Sequence, residues 1–172
     1  LPSSNGIEVL TQTEISQLEP NLSQDLVGGV LLPGEHQVNP MFLSEAFKRA
    51  AMNLGATVRG DCQVTGIRRS GDRIIGVEIG DEFLPADVVI NAAGSWSAQL
   101  ASSANLHIPI HPVRGQVVLT ESLSKVMNVC LSTSKCYLTQ KQHGEMLIGS
   151  TTENVGFDVS VTEDAIRNLS RG

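Results

Sequence analysis

Asp87-Val-Val-Ile-Asn-Ala-Ala-Gly-Ser-Trp-Ser97 is the stretch on which the reading of the fold turns. Its centre, Val88-Val89-Ile90, is continuously apolar, the pattern of a strand covered on both faces. Ala92-Ala93-Gly94 breaks the run, and residues 95–105 then read as a helix with Trp96, Leu100 and Ala101 facing inward. Two small residues and a glycine between strand and helix leave nothing bulky projecting. Another body can therefore lie close to the main chain, beside the free N–H groups of the helix start. In a nucleotide-binding α/β domain that body is a cofactor. Close packing of helix on strand, with no ligand, asks for the same residues, and a short glycine motif does not separate the two.

Upstream, Asn39-Pro40 opens a helix: Asn caps it and Pro takes the first helical position. Leu43, Ala46, Phe47, Ala50 and Leu54 recur at helical spacing as one apolar stripe, opposite Glu45, Lys48, Arg49 and Asn53, and Gly55 supplies the stop. A shorter helix is expected over residues 11–18, where Thr11 and Glu14 form a capping box and Pro20 follows the end. Residues 28–32 read as a glycine-led strand and Pro33–His36 as a turn. Strands are expected at 56–59, 64–69 and 73–79, the last two joined by a turn at Ser70-Gly71-Asp72, with a third antiparallel piece at 82–84. Downstream, residues 111–120, 135–140 and 145–150 read as antiparallel strands with a tight turn at His143-Gly144. Thr162 then caps a helix that carries Glu163 and Asp164 in its first turn. The expected fold is mixed α and β.

Composition narrows the function. The chain has 172 residues, so it is one domain or pieces of two, and 41% hydrophobic residues supply a core. Aromatic residues are only 3%, which disfavours a base-stacking surface. Twelve basic against 18 acidic residues give a charge of −6, and no basic run exceeds Arg68-Arg69, so a nucleic-acid partner is not expected. No apolar run approaches the ~20 residues of a membrane span. The first residues carry no signal-peptide pattern, and the chain does not begin with Met, which reads as an internal piece of something longer. Cys62, Cys130 and Cys136 match no zinc spacing and read as small core residues in a reducing cytoplasm. His36, His107, His111 and His143 do not cluster with acids or cysteines, so no metal is expected. There is no nucleophile elbow, phosphate-cradling loop or paired acids on a helical face.

Two further segments carry polar groups that fit chemistry. Pro112-Val-Arg-Gly-Gln116 leads into an apolar strand, where Arg114 and Gln116 beside Gly115 place donors over a polar ring system, or else sit in water at an edge turn. Tyr137 is the single tyrosine; its phenol is suited to bind a substrate carboxylate or amine, or it is a half-buried strand tyrosine.

Taken in order, these segments resemble the FAD-dependent D-amino acid oxidase family, in particular its glycine oxidase, D-amino acid dehydrogenase and hydrogen cyanide synthase branches. The resemblance rests on Gly28-Gly-Val-Leu-Leu-Pro-Gly-Glu-His-Gln-Val-Asn-Pro40, on Gly55-Ala56 through Val64, on Asp87–Trp96, on Pro112–Gln116, and on Tyr137 with Ile148-Gly-Ser-Thr151. Each motif is modest, but five occur in the family's order along nearly the whole chain. The resemblance implies that Val64 touches the FAD adenine through its backbone. Ala92, Ala93 and Gly94 pack by the adenosine and pyrophosphate, with Trp96 nearby. Arg114, Gly115 and Gln116 lie along the flavin approach. Tyr137 faces the substrate, as the residue closest to the chemistry, and Thr152 lines the same cavity.

The same resemblance implies an internal fragment: the middle of an FAD-binding domain plus an antiparallel-sheet substrate domain, without the N-terminal Rossmann βαβ unit. Residues 1–30 and 109–172 belong to the substrate domain and 31–108 to the inner FAD domain. The whole enzyme oxidises glycine or a D-amino acid at the CH–NH2 carbon by hydride transfer to FAD, while the fragment alone binds FAD weakly or not at all and is inactive. Expected partners are a small amino acid and another copy or a second flavoenzyme subunit, in the cytoplasm or peripheral to a membrane. The alternatives are a related FAD enzyme for another substrate, such as sarcosine or glycerol 3-phosphate, and a non-enzymatic binding or scaffold domain.

Overall fold

Thr11 opens the first helix, α1 (Gln12–Leu18), by a reciprocal capping box in a computed structural model that describes residues 6–171. The Glu14 carboxylate accepts from the Thr11 N–H at 2.8 Å, and the Glu14 N–H donates back to the Thr11 hydroxyl at 3.4 Å. The Thr11 N–H bond foremost, and then the Thr11 hydroxyl donating to the same carboxylate at 2.7 Å, hold the Glu14 carboxyl below its ordinary value near 4.5. A carboxyl held low in the fold and ordinary in the unfolded chain stabilises the helix fully above that ordinary value. The contribution disappears as pH falls through the lower folded value. Acidification is therefore expected to fray α1 before the sheets; faster amide exchange of residues 12–15 at pH 3 than an acid-insensitive Glu14→Gln chain shows is the measurement.

The described residues fall into two compact units. The first comprises residues 6–40, 115–152 and 160–171. Here β1 (Glu8–Leu10) pairs antiparallel with β2 (Gly29–Leu31). A four-stranded antiparallel sheet is built from β6 (Val117–Ser122), β7 (Leu131–Ser132), β8 (Tyr137–Gln140) and β9 (Glu145–Gly149) in the order β6-β9-β8-β7. Register places Val117, Gly149 and Tyr137 on one face and Val118, Ile148 and Leu138 on the other. The helix α4 (Glu163–Leu169) lies against β6. Its capping residue Thr162 makes no side-chain bond to the helix; instead its hydroxyl accepts from the Gln116 side-chain amide at 3.0 Å and its N–H donates to the Gln116 side-chain oxygen, Oε1, at 2.8 Å. Ile15, Cys136, Met146, Ala165 and Leu169 form the buried apolar centre.

The second unit comprises Met41–Arg114 and Glu153–Val159. It contains the meander β3 (Gly66–Ser70), β4 (Arg73–Ile79) and β5 (Glu82–Pro85), turned at Gly71-Asp72. A single 3-10 turn at Gly94–Trp96 runs into α3 (Ser97–Ser103). That helix packs on β3, where the Ile67 N–H donates to the Ser103 hydroxyl at 2.8 Å and the Arg69 guanidinium to the Ala104 carbonyl at 2.9 Å. Ile67, Ala101 and Ala104 are buried there.

The helix α2 (Pro40–Asn53) forms where Pro40 places it, and Gly55 ends it at φ +95°. Its expected apolar stripe is uncovered, however, with Phe47 67% and Leu54 90% exposed. The same holds for residues 87–91, which make no ladder with any described strand and leave Val88 and Ile90 exposed. Apolar periodicity states which face wants cover; it does not supply the covering element. Residues 56–59 form no strand either, and Arg59 makes a two-pronged ion pair with Glu82 at 2.9 and 2.7 Å. The strand expected from residue 111 begins at Val117, preceded by a lone bridge between Arg114 and Glu153. Of the cysteines only Cys136 is buried; Cys62 is half-buried and Cys130 exposed, its thiol bonded to Thr139 at 3.1 Å.

Candidate functional site

The small-residue break lies open. Asn91 braces it from behind, its amide donating to the Ser97 carbonyl at 2.9 Å and its side-chain oxygen accepting from the Ala93 N–H at 3.3 Å. Gly94 sits at φ +54°, and a Cβ built on it meets no atom within 4 Å. Ala92 and Gly94 are exposed, so no side chain among the described residues fills the crook. Trp96 faces outward, contrary to expectation, at 59% exposure. Ala101 is buried as expected, while the indole stacks on Phe157 with ring centres 5.4 Å apart. Val64 lies just before β3, partly exposed.

Arg114 belongs to the same unit. Its guanidinium donates to Glu153 at 3.0 and 2.6 Å and to Asp158 at 2.7 Å, and those two carboxylates, Glu153 first, raise its pKa. Gly115, Gln116, Tyr137 and Thr152 belong to the other unit. Gln116 is buried, with its N–H donating to the Thr151 hydroxyl at 2.9 Å and its carbonyl accepting from the Thr151 N–H at 3.1 Å. Thr152 is exposed one residue further on.

Tyr137 stands on the sheet face that carries Val117, Leu119, Leu147 and Thr139. Thr139 is buried, whereas Val117, Leu119 and Tyr137 remain open to approach. The phenol lies over Gly149, close enough that a Cβ there would come within 2.5 Å of the Tyr137 Cζ. A half-open apolar floor bearing the Tyr137 hydroxyl offers hydrogen-bonding capacity in surroundings that favour it over water.

The expected residues therefore form two separate features, a main-chain crook in one unit and a tyrosine-bearing sheet face in the other. Sequence reasoning missed the supporting residues: Asn91, Glu153, Asp158 and Phe157. Of these, only Asn91 lay within a quoted motif, where it was given no role. A cavity of about 480 Å3 lined by α3 and residues 107–111 involves none of the expected site residues. Among the described residues no group of His, Cys, Asp and Glu could hold a metal ion, and no helix is long and apolar enough to cross a membrane.

Comparison with known proteins is consistent along the chain. The hydrogen cyanide synthase subunit HcnC of Pseudomonas protegens is 42% identical over 171 residues, covering 98% of this chain and 41% of that protein. A glycine oxidase of Pseudomonas putida is 30% identical over 151 residues, covering 87% of this chain and 41% of that protein. The crystal structure of glycine oxidase from Geobacillus kaustophilus superposes with a TM-score of 0.89 at 27% identity, covering 97% of this chain and 45% of the other. The chain thus spans about two fifths of the length of the curated relatives it matches. The family model for FAD-dependent oxidoreductases matches residues 2–172, and the chain, with its mixed helix and antiparallel-sheet fold, belongs to that family.

Proposed function

We propose that this chain contributes the inner part of an FAD site and a substrate-facing sheet to a flavoenzyme that oxidises a small amino acid, glycine or a D-amino acid, at its CH–NH2 carbon. The observation that carries the reading is the open main chain at Ala92–Gly94, which this polypeptide's own side chains leave unfilled. Identity to HcnC and to glycine oxidase supports the amino-acid substrate. On this reading the unit holding residues 41–114 is the FAD-domain portion and the unit holding β6–β9 the substrate portion.

The residues present fit a dinucleotide. Ala92, Ala93 and Gly94 admit it against the main chain, and Val64 meets the adenine through its backbone. Trp96 borders it, and Gly115 and Gln116 lie along the flavin approach. FAD held there would supply the hydride acceptor for oxidation at the substrate's CH–NH2 carbon. Tyr137 holds the substrate's carboxylate or amine by its hydroxyl, Thr152 lines the same space, and Val117, Leu119 and Leu147 give the face an apolar lining. HcnC carries the word subunit in its name, which supports a partner flavoenzyme subunit.

The test is a substrate screen on the protein that contains this chain, with oxygen and with a dye acceptor: glycine or a D-amino acid should bleach the flavin, and failure of all of them would reject the substrate class. Ala92→Leu probes the cofactor part. Ala92 is exposed, so the fold should be unchanged, while flavin binding is expected to weaken by at least about tenfold, roughly 1.4 kcal/mol. An unaltered flavin affinity in that variant would remove the crook from the cofactor site.

A further inference from the structure

We infer that Arg114 is a positioning residue: by holding Glu153 and Asp158 together it fixes the segment that presents Phe157, and so keeps the indole of Trp96 beside the open main chain at residues 92–94. The inference rests on the cofactor reading above and departs from the expectation that Arg114 itself lies along the flavin.

The Arg114 side chain is only 10% exposed, and its donors are aimed into its own unit. Nε and Nη2 reach one oxygen of Glu153 and Nη1 reaches Asp158, so one planar guanidinium spans two carboxylates five residues apart. Paired backbone bonds between Arg114 and Glu153, both 2.9 Å, anchor the near end of that segment. Asp158, the far end, directly follows Phe157.

Phe157 is 44% and Trp96 59% exposed, so burial holds neither ring; each is oriented by the other and by the backbone beneath it. For Trp96 that backbone is the 3-10 turn beginning at Gly94. For Phe157 it is the segment pinned by Arg114. A lysine at 114 could not do the same, because a single ammonium lacks the forked donor geometry.

Trp96 is the single tryptophan of the chain, so its emission reports the stack without any cofactor or substrate. In the 172-residue chain, Arg114→Gln is expected to red-shift Trp96 emission and raise its quenching by acrylamide. Phe157→Leu should reproduce that change with the ion pairs intact, and Arg114→Lys should fall between parent and Gln. A folded Arg114→Gln chain, judged by far-UV circular dichroism, with parental Trp96 emission overturns the inference. If Arg114→Gln does not fold, Asp158→Asn, at a half-exposed carboxylate, removes the arm next to Phe157 and must give the red shift; parental emission there overturns it equally.

In the flavin-loaded whole protein, Arg114→Gln should lower flavin affinity and shift the bound-flavin spectrum, with partial rescue by Lys. Loosened Trp96 together with unchanged flavin binding would reject the placement of Trp96 at the cofactor while leaving the Arg114 clamp in place.

Discussion

Gly149→Ala is expected to lift the Tyr137 phenol off the sheet. Gly149, the last residue of β9, is buried and paired on both sides, to Val117 and to Tyr137. A methyl group there would lie on the phenolic oxygen, within 2.5 Å of Cζ and 2.9 Å of Cε1. Two flanking ladders prevent the backbone from yielding, so the ring must move, and it can, because its outer side is open. Forced overpacking of this kind costs typically about 1–3 kcal/mol, so a stability loss near 2 kcal/mol is expected. A misplacement of about 1 Å at a substrate-positioning group can cost ~100-fold in rate, so turnover in the proposed oxidation should drop on that scale. Tyr137→Phe, which removes the hydroxyl without moving the ring, separates the two effects. In a Tyr137→Ala background the obstructing ring is gone, and adding Gly149→Ala should then cost under ~0.5 kcal/mol by urea unfolding. A single Gly149→Ala variant as stable and as active as the parent would show that the ring does not lie over the main chain.

The second large effect concerns stability alone. Glu19, immediately after α1, is 2% exposed. Its carboxylate accepts from the Asn128 and Val129 N–H groups, both at 2.6 Å. Asn128 returns a bond to the Leu18 carbonyl at 2.9 Å, and the Asn21 amide donates to the Val126 carbonyl at 2.8 Å. The end of α1 is thereby stitched to a segment more than a hundred positions away, which leads into β7 and the sheet of Tyr137. Glu19→Ala removes two charge-assisted bonds and leaves two backbone donors without their partner, a loss of roughly 3–4 kcal/mol, in the upper range of single substitutions. Glu19→Gln keeps an accepting oxygen in the same place and should lose only about 1 kcal/mol. Chemical unfolding with an unchanged denaturant slope measures both; a Glu19→Ala midpoint equal to that of the parent would refute the account.

Much of the local architecture was legible in the residues. Thr11 with Glu14, Asn39-Pro40 with Gly55, the turn at Gly71-Asp72 and the turn at His143-Gly144 each set an element over a few neighbouring positions. The structure has α1, α2, β3–β4 and β8–β9 there. The break at Ala92–Gly94 was legible for the same reason: its openness follows from the side chains it lacks. Reading failed where an outcome depended on a distant partner. Val88 and Ile90 carry the mark of a covered strand but find no ladder, and Trp96 turned outward onto Phe157. Thr162 gave its hydroxyl to Gln116 rather than to its helix. Arg114 is committed to two acids that no spacing rule connects to it.

By itself, then, the order of side chains determined where helices begin, where the chain reverses and where the backbone is left bare, because those choices are made by torsional preference and hydrogen bonds spanning three or four residues. Only the tertiary structure decided that Tyr137 lies across Gly149, that Glu19 binds residues 128 and 129, and that Arg114 clamps Glu153 to Asp158. Those contacts join positions 12 to 110 residues apart, and only the folded backbone can bring them within reach.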